Sequence, residues 1–467
     1  MEELIKEISD LKALVNRLLL RIEELEAENA DLRRQLSQNS SNSHKPPSSE
    51  GYSKKPLIKA ALPKSSGKKP GGQHGHPGKT LQFVAHPDEI HIHSASQCGN
   101  CGLALQGEGQ VVARRQVFDL PPTRLWVSQH ELVAHRCSCG HKQVGQFPAD
   151  VVAPVQYGNR IHAQSIMMLN VDYRLPFSKI SQLWADLTGY AYNPATLSSA
   201  QSKLYEQLAP IETQIKEQLK AAPVCHFDET GLRIEGGLKW LHLASNNLYT
   251  YFFVHDKRGQ QALLSEKSIF SECVNWTVHD CWLSYFTVGK GRHSLCGAHL
   301  LRELQALIDQ GRQWAKDMHE YLMQAYQTSR HGPIPTDQQA HWRIRYQQIC
   351  QQADQEEHPP ICFIKSNGRL GRAKRTTGRN LLQRLIFHQE AVLAFAFESG
   401  VPFTNNQAER DLRAAKVKQK ISNCFRSIGG ATAYARIAGF ISTIRKMNRN
   451  IIQNIESVLQ GSFQWAT

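Results

Sequence analysis

Pro223-Val224-Cys225-His226-Phe227-Asp228 is a short apolar run closed by a carboxylate. Such a run reads as a buried strand that delivers a charge to the rim of a sheet. Trp276-Thr277-Val278-His279-Asp280 repeats the pattern. Between the two, Lys239 to Ser245 and Tyr249 to His255 read as strands joined by a hairpin turn at Asn246-Asn247. Gln260 to Ser271 reads as a crossover helix, which a parallel partner strand requires. Ser294 to Ala298 reads as a fifth strand that leads into a helix. A third acid, Glu409, lies in Thr404-Asn405-Asn406-Gln407-Ala408-Glu409-Arg410-Asp411-Leu412-Arg413, a helix start with Thr404 or Asn405 as cap and carboxylates in the first turns, where the macrodipole favours them. Two strand ends and one helix can thus aim Asp228, Asp280 and Glu409 at one spot. Converging carboxylates repel one another unless divalent cations lie between them, and hard oxygen donors suit Mg²⁺ or Mn²⁺. Two such ions can stabilise the attacking and leaving oxygens of an in-line phosphoryl displacement. Acids closing strands are also ordinary turn residues, so the pattern gains weight only from its surroundings.

Moving outward, the chain has 467 residues, enough for several domains, and a formal net charge of +14 from 55 Lys+Arg against 41 Asp+Glu. That balance favours an anionic partner, nucleic acid before membrane. The longest apolar runs, such as Ala391 to Phe397, are far too short to span a bilayer. The N-terminus is acidic and heptad-patterned, unlike a signal peptide. Eleven scattered cysteines in so long a chain fit reduced thiols in the cytoplasm better than a disulfide framework.

Residues 1–36 carry Leu4, Leu11, Leu18, Leu25 and Leu32 at d and Ile8, Val15, Ile22, Asn29 and Leu36 at a. This is a coiled coil that predicts self-association, with Asn29 fixing register at a cost in stability. Residues 37–80 are rich in Ser, Pro, Gly and Lys and read as a basic, flexible linker. In residues 81–150, Cys98-Gly99-Asn100-Cys101-Gly102 and, after 35 intervening residues, Cys137-Ser138-Cys139-Gly140-His141 suggest a zinc-ribbon-like site. Gln110 to Leu120 and Thr123 to Val133 read as its strands. The second pair is C-x-C, so His135 or His141 could replace a thiolate at a structural Zn²⁺. Residues 156–220 read as helices over 161–170 and 178–187, then a third capped by Asn193-Pro194, a pattern compatible with helix-turn-helix DNA binding or with a plain helical bundle.

The 128 residues between Asp280 and Glu409 imply a helical insertion over 306–400. At its centre Lys365-Ser366-Asn367-Gly368-Arg369-Leu370-Gly371-Arg372-Ala373-Lys374-Arg375-Thr376-Thr377-Gly378-Arg379 has six cations and no acid, a loop suited to a nucleic-acid backbone. Its Arg369, Arg372, Lys374, Arg375 and Arg379, with Arg410, Arg413 and Lys416 beyond Glu409, are the candidate nucleic-acid contacts. Lys418, Lys420 and Arg426 continue the cationic series.

His226-Phe227-Asp228-Glu229-Thr230-Gly231, Val278-His279-Asp280-Cys281-Trp282, Leu295-Cys296-Gly297-Ala298-His299-Leu300-Leu301-Arg302-Glu303-Leu304 and Thr404 to Arg410 resemble, in order, the signature segments of insertion-sequence-66-type transposases. The resemblance implies a DDE transposase with a ribonuclease-H-like core in which Asp228, Asp280 and Glu409 are the D, D and E and hold two Mg²⁺ or Mn²⁺ ions. It also implies a zinc-binding domain near the N-terminus and an accessory motif in which His299 assists a proton transfer and Arg302 holds a phosphate. The expected architecture is therefore multidomain α+β: coiled coil 1–36, linker 37–80, zinc domain 81–150, helical region 156–220, first part of the catalytic core 221–305, helical insertion 306–400, and the end of the core with C-terminal helices over 401–467. The implied partners are double-stranded DNA, at element ends and target, a second copy of the chain, and accessory proteins of the same element. The implied place is the bacterial cytoplasm, at the nucleoid. A nuclease of the same fold that cuts without joining, or a zinc-containing dimeric DNA-binding protein without activity, are the rival readings.

Overall fold

The computed structural model describes residues 81–465 apart from 108, 171–172 and 358–374, together with isolated positions between 11 and 36. Leu4, Ile8, Ile22, Leu25 and Leu32 of the heptads, the linker and most of the basic loop, including Arg369, Arg372 and Lys374, therefore lie outside the described residues.

The first described elements are β1 (Ala134–Arg136) and β2 (Lys142–Val144), a small antiparallel hairpin whose turn carries Cys137 and Cys139. The strands expected over 110–120 and 123–133 do not form. Their alternation is a real sequence signal, but no neighbouring strand pairs with it, and Val112, Val117, Leu120, Trp126 and Val127 stay exposed. Four helices follow: α1 (Asn159–Leu169), α2 (Phe177–Thr188), α3 (Pro194–Gln207) and α4 (Ala209–Ala221). Asn193 caps α3 as its side chain accepts from Ala195 N at 2.8 Å, with Pro194 at the first helical position.

The sheet is built from β3 (Val224–Ile234), β4 (Gly237–Ser245), β5 (Thr250–His255), β6 (Trp276–His279) and β7 (Arg292–Leu295), in the order β5-β4-β3-β6-β7. The first three strands pair antiparallel, and β6 and β7 add in parallel. Three sequence expectations need correction. Asp228 does not end its strand. β3 runs on to a two-residue turn, Glu235-Gly236, with positive φ of 53° and 75°, the geometry that matches the twist of a hairpin. The crossover between β5 and β6 is not one long helix but the short α5 (Gln260–Leu263) and a 3₁₀ turn at Phe270–Glu272. The fifth strand is Arg292–Leu295, because Gly297 already belongs to the next helix. After β6 comes α6 (Leu283–Val288), and after β7 come α7 (Gly297–Ile308), α8 (Gln313–Thr328), α9 (Thr336–Glu356), α10 (Thr377–Phe387) and α11 (Gln389–Phe397), then α12 (Asn406–Ser422), α13 (Ile428–Lys446) and α14 (Ile451–Leu459).

The sheet alternation sorts side chains between two cores. Phe227, Tyr251 and Phe253 face a core shared with α1–α4, α13 and α14. Leu232, Leu241, Phe252 and Val254 face Ala408, Leu412 and Ala415 of α12 and the small residues of α13. A third core, around the fully buried Trp314, Tyr321 and Tyr346, holds α7 to α11 together, and α11 packs beside β7, covering that sheet edge. The run Ala391 to Phe397 is buried throughout in this core. Among the described residues no helix is long and apolar enough to cross a membrane. The molecule is thus a mixed α+β protein with one mixed sheet and many helices.

Candidate active site

The parallel register of β3 and β6 pairs Val224 with Trp276 and His226 with Val278. Carried two residues further, that register sets Asp280 beside Asp228. β6 ends at His279, so Asp228 lies where its parallel neighbour gives out while the antiparallel ladder to β4 continues. The side of the sheet follows from alternation. Phe227 meets Phe270 edge-on at 4.8 Å on one face, so His226 and Asp228 share the other. There the His226 Nδ1–H donates to Asn405 Oδ1 at 2.8 Å, the residue before α12. Asp228 therefore points toward the first turn of α12, which carries Glu409.

Burial pushes the Asp228 carboxyl well above its ordinary value, and Glu229, Asp280 and Glu409 raise it further, against one backbone N–H that lowers it. The other two expected acids therefore both act on Asp228, but the three carboxylates are not gathered within 4.8 Å of one another. Asn405 is the residue that arranges this. It does not cap α12 with its side chain, as the sequence suggested. Its amide nitrogen instead donates to Phe227 O at 2.8 Å and its backbone N–H to Cys296 Sγ at 3.1 Å, so one residue ties α12 to β3 and to the start of α7.

The neighbour of Asp228 is a member of the site that the sequence reading passed over. Glu229 faces the opposite side of the sheet, where the Tyr285 hydroxyl and Arg258 Nε, at 2.7 Å, donate to it. Its side chain is only 2% exposed. Burial and then Asp280 raise its carboxyl, while Tyr285 and Arg258 oppose them. Arg258 reaches 4.0 Å from Asp280 Oδ2 and its guanidinium lies 4.3 Å from the Trp282 ring and 5.2 Å from that of Trp240. The available signal was the tandem Asp228-Glu229, which a strand necessarily sends to opposite faces; Arg258 and Tyr285 carry no such mark.

His299 and Arg302 occupy adjacent turns of α7 on neighbouring faces, both half-buried. His299 Nδ1 stands 3.8 Å from Glu409 Oε1. Glu303, next in the motif, is paired with Arg384 of α10, which joins the insertion to this helix. Among the described residues, one set of three candidate metal ligands lies within 4.8 Å of one another: Cys296, His299 and Glu409.

Of the candidate cations, Arg375 is exposed and donates to Gln383 at 2.6 Å, while Arg379 pairs with Asp354. Arg410 donates to Gln407 at 2.8 Å and Arg413 is exposed. Lys416 bonds the carbonyl of Gly231 in β3. Lys418 is buried, donates to Leu169 O at 2.9 Å, and is pushed down to about 8 by burial and then Arg174. It joins α12 to α1 and is not a surface cation. Around residues 98 and 137 the backbone forms two glycine-closed turns, one closed by the residue four positions on and the other by the residue three positions on. Gly102 N donates to Cys98 O and Gly140 N to Cys137 O, each at 2.9 Å, with φ of 74° and 87° at the glycines. Backbone N–H groups, those of Asn100 and Cys101 for Cys98 and chiefly that of Cys139 for Cys137, hold both thiols below their ordinary value.

A mixed sheet with acids on adjacent strands, met by a third acid on a docked helix, defines an α+β protein with an acidic centre. The model described as the transposase IS66 family matches residues 154–433, more than half of the chain, and the protein belongs to that family. Residues 2–82 match a family of unknown function, DUF6444. A search of curated proteins finds no match.

Proposed function

We propose that this transposase cuts a phosphodiester at the end of its element and joins the freed 3′-hydroxyl to target DNA, with Asp228, Asp280 and Glu409 holding the hard divalent cations of the reaction. Family membership supports the transposase reading. The observation that carries the site is the β3–β6 register that sets Asp280 beside Asp228, with Asn405 holding the start of α12 to the same face; Asp228 there is a buried carboxyl pushed up by burial first and then by Glu229, Asp280 and Glu409. Such a group is stable as an anion only beside a cation. The donor set is all oxygen, which fits Mg²⁺ or Mn²⁺, and when bound a pair of such ions would supply charge stabilisation to both oxygens of an in-line displacement.

The chain's own groups do the rest. Arg258 holds Glu229 and leans toward Asp280, and Asn405 fixes the approach of α12. Arg302 offers a guanidinium suited to a phosphate oxygen, and His299 a ring nitrogen for a proton. In the first step water attacks phosphorus and the 3′-oxygen leaves. In the second that 3′-hydroxyl attacks and a target 3′-oxygen leaves, so one site serves both. The strand order, three antiparallel strands extended by two parallel ones, is read here as a ribonuclease-H-like core. Cys98, Cys101, Cys137 and Cys139 are assigned to a structural Zn²⁺ on their glycine-closed turns and lowered thiols, although no three of them lie within 4.8 Å of one another, so the two pairs would have to close on the ion. The α2–α3 pair and the basic residues are assigned to DNA, with Ser198, Ser199 and Lys203 exposed on α3, and residues 1–36 to self-association.

The test uses a labelled, pre-cut element-end duplex, a target plasmid and Mg²⁺. Wild-type protein should give joined product and folded Asp228→Asn none. Equal joining by the variant would overturn the assignment, and cutting without joining would make the protein a nuclease.

A further inference from the structure

We propose that Cys296, His299 and Glu409 form a second, softer metal site that takes Zn²⁺ or a similar borderline transition-metal ion and shares Glu409 with the acidic centre. The ligand atoms already lie within 4.8 Å of one another. The 3.8 Å between His299 Nδ1 and Glu409 Oε1 is too long for a hydrogen bond but close to the spacing of two ligands on one ion, about 3.3 Å for tetrahedral bonds of about 2 Å. Glu409 Oε1 is sequestered from solvent and accepts no hydrogen bond among the described residues, so its lone pairs face the cluster without a donor. Cys296 is 1% exposed, and its sulfur receives the backbone N–H of Asn405 at 3.1 Å at the mouth of α7; burial pushes the thiol up, so it gives up its proton only as a cation binds.

The frame is stiff. Gly297 N donates to Phe403 O at 2.8 Å, and a Cβ on Gly297 would meet the Phe403 ring at 2.2 Å. The segment before α12 and the start of α7 are thereby locked together, with Cys296 and Glu409 on the two sides of the seam. A thiolate, an imidazole and a carboxylate select Zn²⁺ over Mg²⁺, and three protein ligands leave a fourth position open. The consequence for activity rests on the proposed function: an ion held here engages Glu409 and competes with the hard cations, so Zn²⁺ antagonises Mg²⁺.

The binding test needs no turnover. Full-length protein is titrated with Co²⁺ and followed by thiolate-to-metal charge-transfer absorption. Wild type should bind one equivalent more than Cys296→Ser, and His299→Gln should show the same deficit. The cysteines at 98–139 contribute equally to all three and cancel. Equal stoichiometry and spectra in variants with wild-type circular dichroism would overturn the proposal. Should a variant fail to fold, anomalous diffraction from a Zn²⁺-soaked wild-type crystal decides: a peak bonded to Cys296 Sγ supports the site, and its absence there refutes it. In the joining assay, Cys296→Ser should need at least tenfold more Zn²⁺ for half-inhibition. If no variant or wild type joins DNA, the proposed function fails while the Co²⁺ result still stands or falls alone.

Discussion

Burial and three neighbouring carboxylates raise the Asp228 carboxyl, and the direction fixes how stability responds to pH. A raised acid holds its proton in the folded state at pH values where the unfolded chain has lost it. Its penalty is absent below the ordinary carboxylate range and is fully present above the raised value. In chelator, the melting temperature should therefore fall as pH climbs through that window, and Mn²⁺ should restore it, more at the upper end than at the lower. Asp228→Asn should flatten the fall and remove most of the Mn²⁺ effect, read by thermal scans at a series of pH values. His242 carries the opposite sign. It stacks on Phe253 at 4.8 Å, its Nε2–H donates to Lys257 O at 3.2 Å, and burial depresses it to about 4. Stability that depends on the neutral ring is complete above the ordinary histidine value and is lost as pH falls toward 4, by roughly 3 kcal/mol in full. His242→Gln should shrink that acid limb in urea titrations while leaving the behaviour above neutrality unchanged.

At the scale of elements, α12 is held by a buried ion pair. Asp411 meets Lys446 of α13 at 2.8 Å, with side chains 10% and 12% exposed, and Lys446 also donates to Asn246 O in the β4–β5 turn at 2.9 Å and to Thr250 Oγ1 at the start of β5 at 2.7 Å. Asp411→Ala leaves the ammonium buried without its partner, a change that costs about 3–5 kcal/mol in such pairs. Urea unfolding should show a loss of that size, and a double variant with Lys446→Met should recover much of it. The same helix shows where a sequence stops being legible. Its start was visible in Asn405 to Arg413, as was the Asn193-Pro194 cap of α3, because caps and helical periods are local. The use of the Asn405 side chain was not, since its partners His226 and Phe227 lie almost 180 residues away, at separations of 179 and 178. The length of β3 was hidden for a related reason: Glu229, Thr230 and Gly231 look like the end of a strand, and only pairing with Trp240 to His242 and the contacts of Glu229 to Tyr285 and Arg258 make them its middle. Asp228 and Asp280 stand out as candidates because each closes an apolar run. Arg258 and Tyr285 were not, because nothing near them in the chain reports the burial that gives them a role.

Across the whole molecule the net charge of +14 is the feature that bears on the proposed DNA contacts, and the structure divides the candidate cations by what they already hold. Lys416 and Lys418 are committed to carbonyls of β3 and α1, and Arg379 to Asp354. Arg413 is exposed and Arg375 is exposed beside Gln383. Arg369, Arg372 and Lys374 lie in the basic run outside the described residues, where the chain has no acid from 365 to 379. These differences separate two kinds of variant. A lysine or arginine that neutralises a phosphate releases counterions, and each such contact contributes about 0.9 to the slope of log affinity against log salt. Replacing Arg369, Arg372 and Lys374 together by alanine should thus lower that slope by about 2.7 and weaken binding alike for element-end and unrelated duplexes. Arg379→Ala should act otherwise: it frees Asp354, loosens the junction of α9 and α10 and lowers the melting temperature, with the salt slope hardly moved. Fluorescence anisotropy of a labelled duplex over a range of salt concentrations reads the slope, and thermal scans of the same preparations read stability. An unchanged slope for the triple variant would show that this loop does not lie on the phosphates, and the charge that binds DNA would then have to be sought on α3 and along α12.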